Sequence, residues 1–474
     1  MTSGSTKTRP FVERKATDAG VLRPLLALAL PVLLEEALNL LVGFTDWFLA
    51  GRFVPGEEPL AAMGMMAYVM WLIPSFFSFV GIGATAIVAR CVGAGDRWQA
   101  AYATRQALTL GLLFALIAVA VCFFGGPTFF RAMHLEGLAA ELSQRYLRIL
   151  TFAVPFIMVE QIATACLRGA GDTVSGLQAR VLVNLTNAVV STALVTGWGP
   201  FPNYGWEGLA IGTLCGHLVG ATMLLAILFS GRGGVQLSFT TDRLDWNLMR
   251  RIMRVGVPGG IDLLAVIGCH LVYFRVISSL GTTAQAAHGL GVQIEAMSYL
   301  AGSAFSVAAA TMAGQSLGAQ NAPRAVRSTL VAGGLAMACM CSAGLVFFVF
   351  GQRLAEFFAG EPTPLTQLTG ELLKIVALSC PFLAVLQVVS GALRGAGDTT
   401  WPLASTLIGL ICIRLPGAMW LAWDEVPLPL LNTSLIGWGY GVHGAWAAMV
   451  LDVAVRSFLL AGRFAGGKWQ HVKV

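Results

Sequence analysis

The sequence predicts an all-α integral membrane protein, with twelve transmembrane helices in two six-helix lobes related by a pseudo-two-fold axis along the membrane normal. Three observations carry that prediction. The chain is 56% hydrophobic and only 11% charged, against roughly 25% charged in soluble domains, so most of its surface must face lipid. It holds twelve apolar runs near the length of about 20 residues that a spanning helix needs. Its second half also repeats its first. Leu167-Arg168-Gly169-Ala170-Gly171-Asp172-Thr173 returns as Leu393-Arg394-Gly395-Ala396-Gly397-Asp398-Thr399, 226 positions later. From Pro155 to Thr173, 11 of 19 positions are identical in the second copy, where chance gives roughly one or two. Gly93 answers to Gly318, and Pro31 with Glu35 answers to Pro258 with Asp262. A period of half the chain means two copies of one architecture.

Taken in order, residues 1–20 form a polar, basic tail with Lys7, Arg9, Arg14 and Lys15, expected on the cytoplasmic side. The first apolar run is too long for a signal peptide and reads as a retained span. The spans fall at roughly 22–50, 60–90, 101–125, 146–167, 176–198, 207–230, 250–279, 284–314, 326–350, 371–393, 401–423 and 440–461. The eleventh is the weakest, with Arg414 and Pro416 inside it. Basic residues gather in alternate loops (Arg90, Arg97 and Arg105; the 168–180 loop; the 231–254 stretch; the 315–327 loop), which places both termini in the cytoplasm. The N-lobe is then 21–230, the linker 231–249 and the C-lobe 250–474. Six spans per copy is an even number, so the copies enter the membrane in the same direction. Trp246, Met249 and Met253, with Arg243, Arg250, Arg251 and Arg254 around them, read as an amphipathic lead-in on the interface.

Composition also excludes functions. A surplus of 30 − 24 = 6 basic residues is too modest to suggest nucleic acid. Nine scattered cysteines form no CxxC pair or metal spacing and read as small apolar fillers. No phosphate-binding loop, HExxH or GxSxG is present, so neither a nucleotide-driven pump nor an intramembrane hydrolase is indicated, and no cofactor is expected. The glycines of Leu167–Thr173 suit a tight turn and Asp172 and Asp398 suit helix caps.

Ionisable residues inside spans mark pathways. Glu35, Glu36, Asp46, Glu160, Asp262 and Glu295 stand there with too few basic residues at similar depth to neutralise them pairwise. Unpaired carboxylates in lipid exchange protons or await a cation, the chemistry of a proton- or sodium-coupled carrier of cationic small molecules. Asp452 and Arg456, four apart, read as an intrahelical pair. Asp46 lies 15 residues after Pro31, about 22 Å along the helix at 1.5 Å per residue. Its repeat position, 46 + 227 = 273, is Tyr273, so only the first half has an acid there. Tyr146, at the outer start of span 4, is a further candidate for its shell.

The chain resembles the multidrug and toxic compound extrusion (MATE) transporters along its whole length. The resemblance rests on Pro31 followed by Gly43-Phe44-Thr45-Asp46-Trp47-Phe48-Leu49-Ala50-Gly51, on Val92-Gly93-Ala94-Gly95-Asp96, on the doubled seven-residue motif, and on Ala286-Ala287-His288 running to Gly314-Gln315-Ser316-Leu317-Gly318-Ala319. It implies a central cleft, alternating access, and export of organic cations in exchange for protons or sodium, by a monomer in the inner (plasma) membrane. Asp46 fits the family's first-span aspartate, Asn187 its fifth-span asparagine and Thr213 a sixth-span threonine of the same pocket. Asp46, Asn187, Thr213 and Tyr146 form the expected cation-coupling site, with sodium a candidate occupant at Asp46. Ser191 stands where an aspartate often follows the asparagine. Glu35, Glu36, Gln161, Asp262 and Glu295 form the expected substrate cleft. Around Gln387 no acid matches the tenth-span acid of some members. The alternative function is flipping of a lipid-linked or similar amphiphile, which wants a basic cavity.

Overall fold

A computed structural model describes residues 20–133, 135–238, 244–428 and 433–474. The basic residues of the N-terminal tail and Arg243 of the lead-in lie outside them. Among the described residues the chain is nearly all helix. In order these are α1 (Leu22–Phe53), α2 (Glu58–Gly93), α3 (Arg97–Ala132), α4 (Gly137–Ala170), α5 (Val174–Thr196), α6 (Trp206–Ser230), α7 (Trp246–Ser278), α8 (Thr282–Gly318) and α9 (Ala322–Ala359). Then come α10 (Pro364–Ala377), α11 (Cys380–Ala396), α12 (Thr400–Leu407), a π-helical segment (Ile408–Arg414), α13 (Leu415–Ala422) and α14 (Gly441–Ala465). Among the described residues ten helices are long and apolar enough to cross a membrane, or eleven if α10 and α11, bent by 55°, make one span. This is a multi-span membrane protein.

Local chemistry sets the helix ends. Asp96 accepts from the Gln99 amide at the start of α3, Asp245 from Asn247 and Leu248 at α7, and Asn321 from Arg324 at α9, each satisfying a backbone donor that the first turn leaves free. Gly171 and Gly397, in the two copies of the repeated motif, end α4 and α11 in the left-handed region at φ +96° and +88°, which only glycine adopts without strain. Asp172 then accepts from the Ser175 amide at 3.0 Å and starts α5, whereas Asp398 pairs with Arg463 of α14 at 2.8 Å.

Three places depart from the sequence expectation. The lead-in at Trp246 does not form a separate interfacial helix: it is the first turns of α7, with Met249 buried in the core. The tenth span breaks at Leu378–Ser379, just before Pro381, which has no amide to continue the ladder. A short antiparallel hairpin, β1 (Glu425–Leu428) against β2 (Thr433–Ile436), precedes α14. The weak eleventh run is explained by its π-helical turn, which ends at buried Arg414, 2.9 Å from Asp452. Asp452 therefore pairs across helices more closely than with Arg456, at 3.8 Å on its own helix.

The two halves meet along α2, α7, α8 and α1. Their closest approach is built on glycine. A Cβ on Gly93 would stand 2.0 Å from the Gln315 carbonyl oxygen, and one on Gly318 would stand 2.1 Å from that of Arg90. These contacts exchange under the repeat, since 93 + 225 = 318 and 90 + 225 = 315. At the same end Arg90 donates to the carbonyls of Ala396 and Val472 at 2.8 and 3.0 Å. The segment after α14 is tucked in there, with Trp469 fully buried and stacked on Phe464.

Candidate functional site: a buried aspartate cluster and a charged central cavity

Four helices converge on Asp46. On α6, Gly208, Gly212, Gly216 and Gly220 recur every fourth residue, so they line one helix face. A Cβ on Gly208 would meet Leu194, on Gly212 Ser191, and on Gly216 and Gly220 Val183. This ladder of small residues lets α5 pack closely on α6, as small faces do in membranes, and brings Asn187 to Thr213. Asn187 Nδ2 lies 3.2 Å from Thr213 Oγ1, 3.4 Å from Ser191 Oγ and 3.4 Å from Asp46 Oδ1. Tyr146 of α4 places its hydroxyl 3.1 Å from Thr213 Oγ1. All five side chains are buried. The expected set of Asp46, Asn187, Thr213 and Tyr146 is therefore one cluster, joined by Ser191.

The bonding around Asp46 is sparse. Thr213 has one hydroxyl proton and three acceptors in reach, the Leu209 carbonyl and the Tyr146 hydroxyl oxygen at 3.1 Å and Asp46 Oδ2 at 3.4 Å. Asp46 is the most distant of these, and its other donor, the Asn187 amide, is also long at 3.4 Å. Asn187 Oδ1 is also buried without a partner. A carboxylate, an amide oxygen and three hydroxyls, with no base in ion-pair contact among the described residues, suit a proton or a hard cation that prefers oxygen ligands.

The second feature is a cavity of ≈ 250 Å³ between the halves. Glu35, Glu36 and Gln161 line it as expected, and so do Glu160, Arg168, Arg180 and Arg394. Asp262 and Glu295 are not part of this lining. Asp262 stands behind Arg394, and Glu295 is buried on α8 within electrostatic reach of Arg414.

The expectation of unpaired acids is corrected here. Arg168 Nη2 donates to Glu35 Oε2 at 2.8 Å. Arg394 pairs with Asp262. These pairs are repeat equivalents, since 35 + 227 = 262 and 168 + 226 = 394. Glu160 Oε2 lies 3.0 Å from His217 Nδ1 and 4.0 Å from Arg180. Arginines expected at the cytoplasmic ends reach into the cavity instead, as long flexible side chains can. Of the acids singled out, Asp46, Glu36 and Glu295 keep no base within ion-pair distance among the described residues. No cluster of three or more His, Cys, Asp or Glu that could hold a metal occurs among the described residues.

The MatE family model matches residues 31–192 and 258–420. The chain belongs to this family. It is a MATE family transporter, and the two matches start 258 − 31 = 227 positions apart, the offset of the internal repeat. A probable multidrug resistance protein NorM of Thermotoga maritima is 27% identical over 448 residues, covering 94% of this chain and 93% of that protein. The multidrug resistance protein MdtK of Edwardsiella ictaluri is 24% identical, covering 92% and 95%. Among solved structures, a MATE protein in its bent conformation superposes with a TM-score of 0.84 at 20% identity, covering 96% of this chain and 99% of that one. An outward-facing multidrug resistance MATE transporter of the MOP superfamily superposes at 0.83. The all-helical fold is thus that of MATE proteins.

What the sequence reading of this MATE chain missed is the role of Arg168, Arg180 and Arg394. A signal was present: an acid and an arginine recur together, at matching positions, in both copies of the repeat.

Proposed function

We propose that this transporter is a secondary active antiporter that exports organic cations or metabolites across the inner (plasma) membrane, driven by proton or sodium entry. The observation that carries the reading is Asp46: a buried carboxylate whose hydrogen-bond partners are the Asn187 amide of α5 and the Thr213 hydroxyl of α6. In this reading α1 is the twelfth span, and lobes 21–230 and 250–474 rock about the linker 231–249 in a single-chain, monomeric carrier with both termini cytoplasmic. The exchanging contacts Gly93–Gln315 and Gly318–Arg90 support a pseudo-two-fold axis along the membrane normal. The names of the multidrug resistance relatives support drug extrusion.

Asp46 holds a proton or a sodium ion in one state and loses it in the other. Occupancy changes which of Asn187 and Thr213 it bonds, and so how α1 sits against α5 and α6. Pro31 supplies the bending point. A ligand shifts the outward–inward equilibrium only by its differential affinity for the two states, and a carboxylate that repacks on binding provides that difference. The second reading, flipping of an anionic amphiphile, draws on the three arginines at the cavity. The test is uptake of a fluorescent organic cation by inverted vesicles under an imposed proton or sodium gradient. Gradient-dependent accumulation is expected. Indifference to both gradients contradicts the antiporter.

A further inference from the structure

The segment after α14 takes a course that its repeat equivalent does not. Tyr204-Gly205 and Gly208 at the start of α6 return as Tyr440-Gly441 and Gly444 at the start of α14, since 204 + 236 = 440. At that offset Gly231, which ends α6 at φ +72°, answers to Gly467 at φ +70°, and both turn the chain in the left-handed region. Beyond Gly231 the chain stays with the first half, where Val235 and Leu237 are buried. Beyond Gly467 it crosses between the halves. Trp469 is fully buried in the core that α8, α9 and α11 form, and its Nε1 donates to the Phe464 carbonyl at 2.9 Å. Val474 packs against the core that α2, α3 and α4 form with the first turns of α7.

Two arginines hold this crossing. Arg90 Nη2, on α2 of the first half, donates to the Val472 carbonyl at 3.0 Å and to the Ala396 carbonyl at 2.8 Å. Arg251 Nη2, on α7, donates to the Val474 backbone oxygen at 2.5 Å and fixes the end of the segment. The Val474 side chain covers Gly397, where a Cβ would stand 2.3 Å from Cγ2. The other copy of the motif has no such cover. There Gln315, the repeat equivalent of Arg90, reaches the Gly169 carbonyl at 3.0 Å, and a Cβ on Gly171 would meet only the Gln315 side chain. One of two equivalent crossings between the halves therefore carries an added segment, at the end where Gly93 and Gly318 bring the halves closest. Separating the halves there must free Arg90 from Val472, a hydrogen bond strengthened by the charge of its donor.

We propose that residues 467–474 are a strap that holds the two halves together at this end, the cytoplasmic one in the proposed orientation, and so limits how often the protein opens there. This rests on the exporter reading and adds a regulatory part to it. Trp469 anchors the strap in the second half, and Arg90 is its catch on the first.

The test uses a single cysteine at Gln161, which lines the central cavity, in an otherwise cysteine-free full chain, labelled with a membrane-impermeant maleimide. Inverted vesicles present the cytoplasmic face and right-side-out vesicles the other. Removing residues 472–474 keeps Trp469 in place and takes the strap off Arg90. Labelling in inverted vesicles should become about tenfold faster, the scale of one hydrogen bond to a charged group, and labelling in right-side-out vesicles should become no faster. Arg251→Gln, at an exposed position, should act in the same sense by a smaller factor, and it decides alone if the shortened chain fails to fold. Unchanged labelling in inverted vesicles overturns the inference. Faster labelling from both sides is a general loosening of the fold and overturns it too. Gradient-driven uptake of a fluorescent organic cation by the wild-type inverted vesicles separates the two readings: uptake with unchanged labelling overturns the strap and leaves the exporter standing, and absence of uptake overturns the exporter whatever the labelling.

Discussion

Arg168→Met would leave Glu35 in its pocket with no counter-charge. The Glu35 side chain is 5% exposed. Behind it the α5 backbone is close: a Cβ on Gly176 would stand 3.1 Å from Glu35 Oε2. The carboxylate therefore cannot swing away from the lost partner, and removing one member of a buried pair costs about 3–5 kcal/mol. One side of Glu35 opens on the cavity, so the lower end of that range, about 3 kcal/mol, is expected. Arg168→Met with Glu35→Gln should recover most of it, because replacing both partners removes the stranded charge. The assay is a double-mutant cycle on reversible unfolding in mixed micelles. The repeat-equivalent pair should behave alike, since Asp262 is 4% exposed behind Arg394: Arg394→Met should cost as much, within about 1 kcal/mol. Arg168→Met within about 0.5 kcal/mol of wild type, a change typical of exposed pairs, would refute the reasoning.

Three other outcomes follow from the packing. Asn187→Ala and Thr213→Val should each lower gradient-driven export several-fold and shift its pH or sodium dependence, while Gln144→Ala, one turn away from Arg148 on α4 and outside the cluster, should not; transport at stepped pH and sodium reads both. Gly93→Val and Gly318→Val place side chains where a carbonyl oxygen would be 2.0 or 2.1 Å from Cβ, so each should disfavour this packing of the halves, read as faster labelling of a single cysteine placed at Gln161 in a cysteine-free background. Trp469→Ala should cost about 3–5 kcal/mol, the usual range for a buried tryptophan, read as a lowered Tm in detergent.

Helix positions were legible in the sequence because a spanning segment must be continuous and apolar: Glu58–Gly93 and Ala322–Ala359 surround the runs expected there. The doubled motif was equally legible, since its glycines are demanded by backbone geometry at Gly171 and Gly397. The cluster around Asp46 was reachable through the family resemblance, and the α6 glycine ladder, visible in sequence, is what closes it. Pairing between helices was hidden. Arg168 is 133 residues from Glu35, and hydropathy gives the depth of neither. Arg414 looked like a flaw in a span until Asp452 stood beside it. The break before Pro381 was hidden by the apolar run on both sides, because composition records solvent and not the hydrogen-bond ladder.

The account turns on Asp46 as the group that couples ion entry to export, and Asp46→Asn tests it most directly. Asparagine nearly keeps the size and shape of the side chain and removes its charge, so the protein should still fold, insert and bind substrate. Inverted vesicles carrying wild type should accumulate a fluorescent organic cation when a proton or sodium gradient is imposed. Vesicles carrying Asp46→Asn should show no gradient-driven accumulation. A mutant that builds the wild-type substrate gradient at the wild-type rate, with the same pH and sodium dependence, would contradict the account.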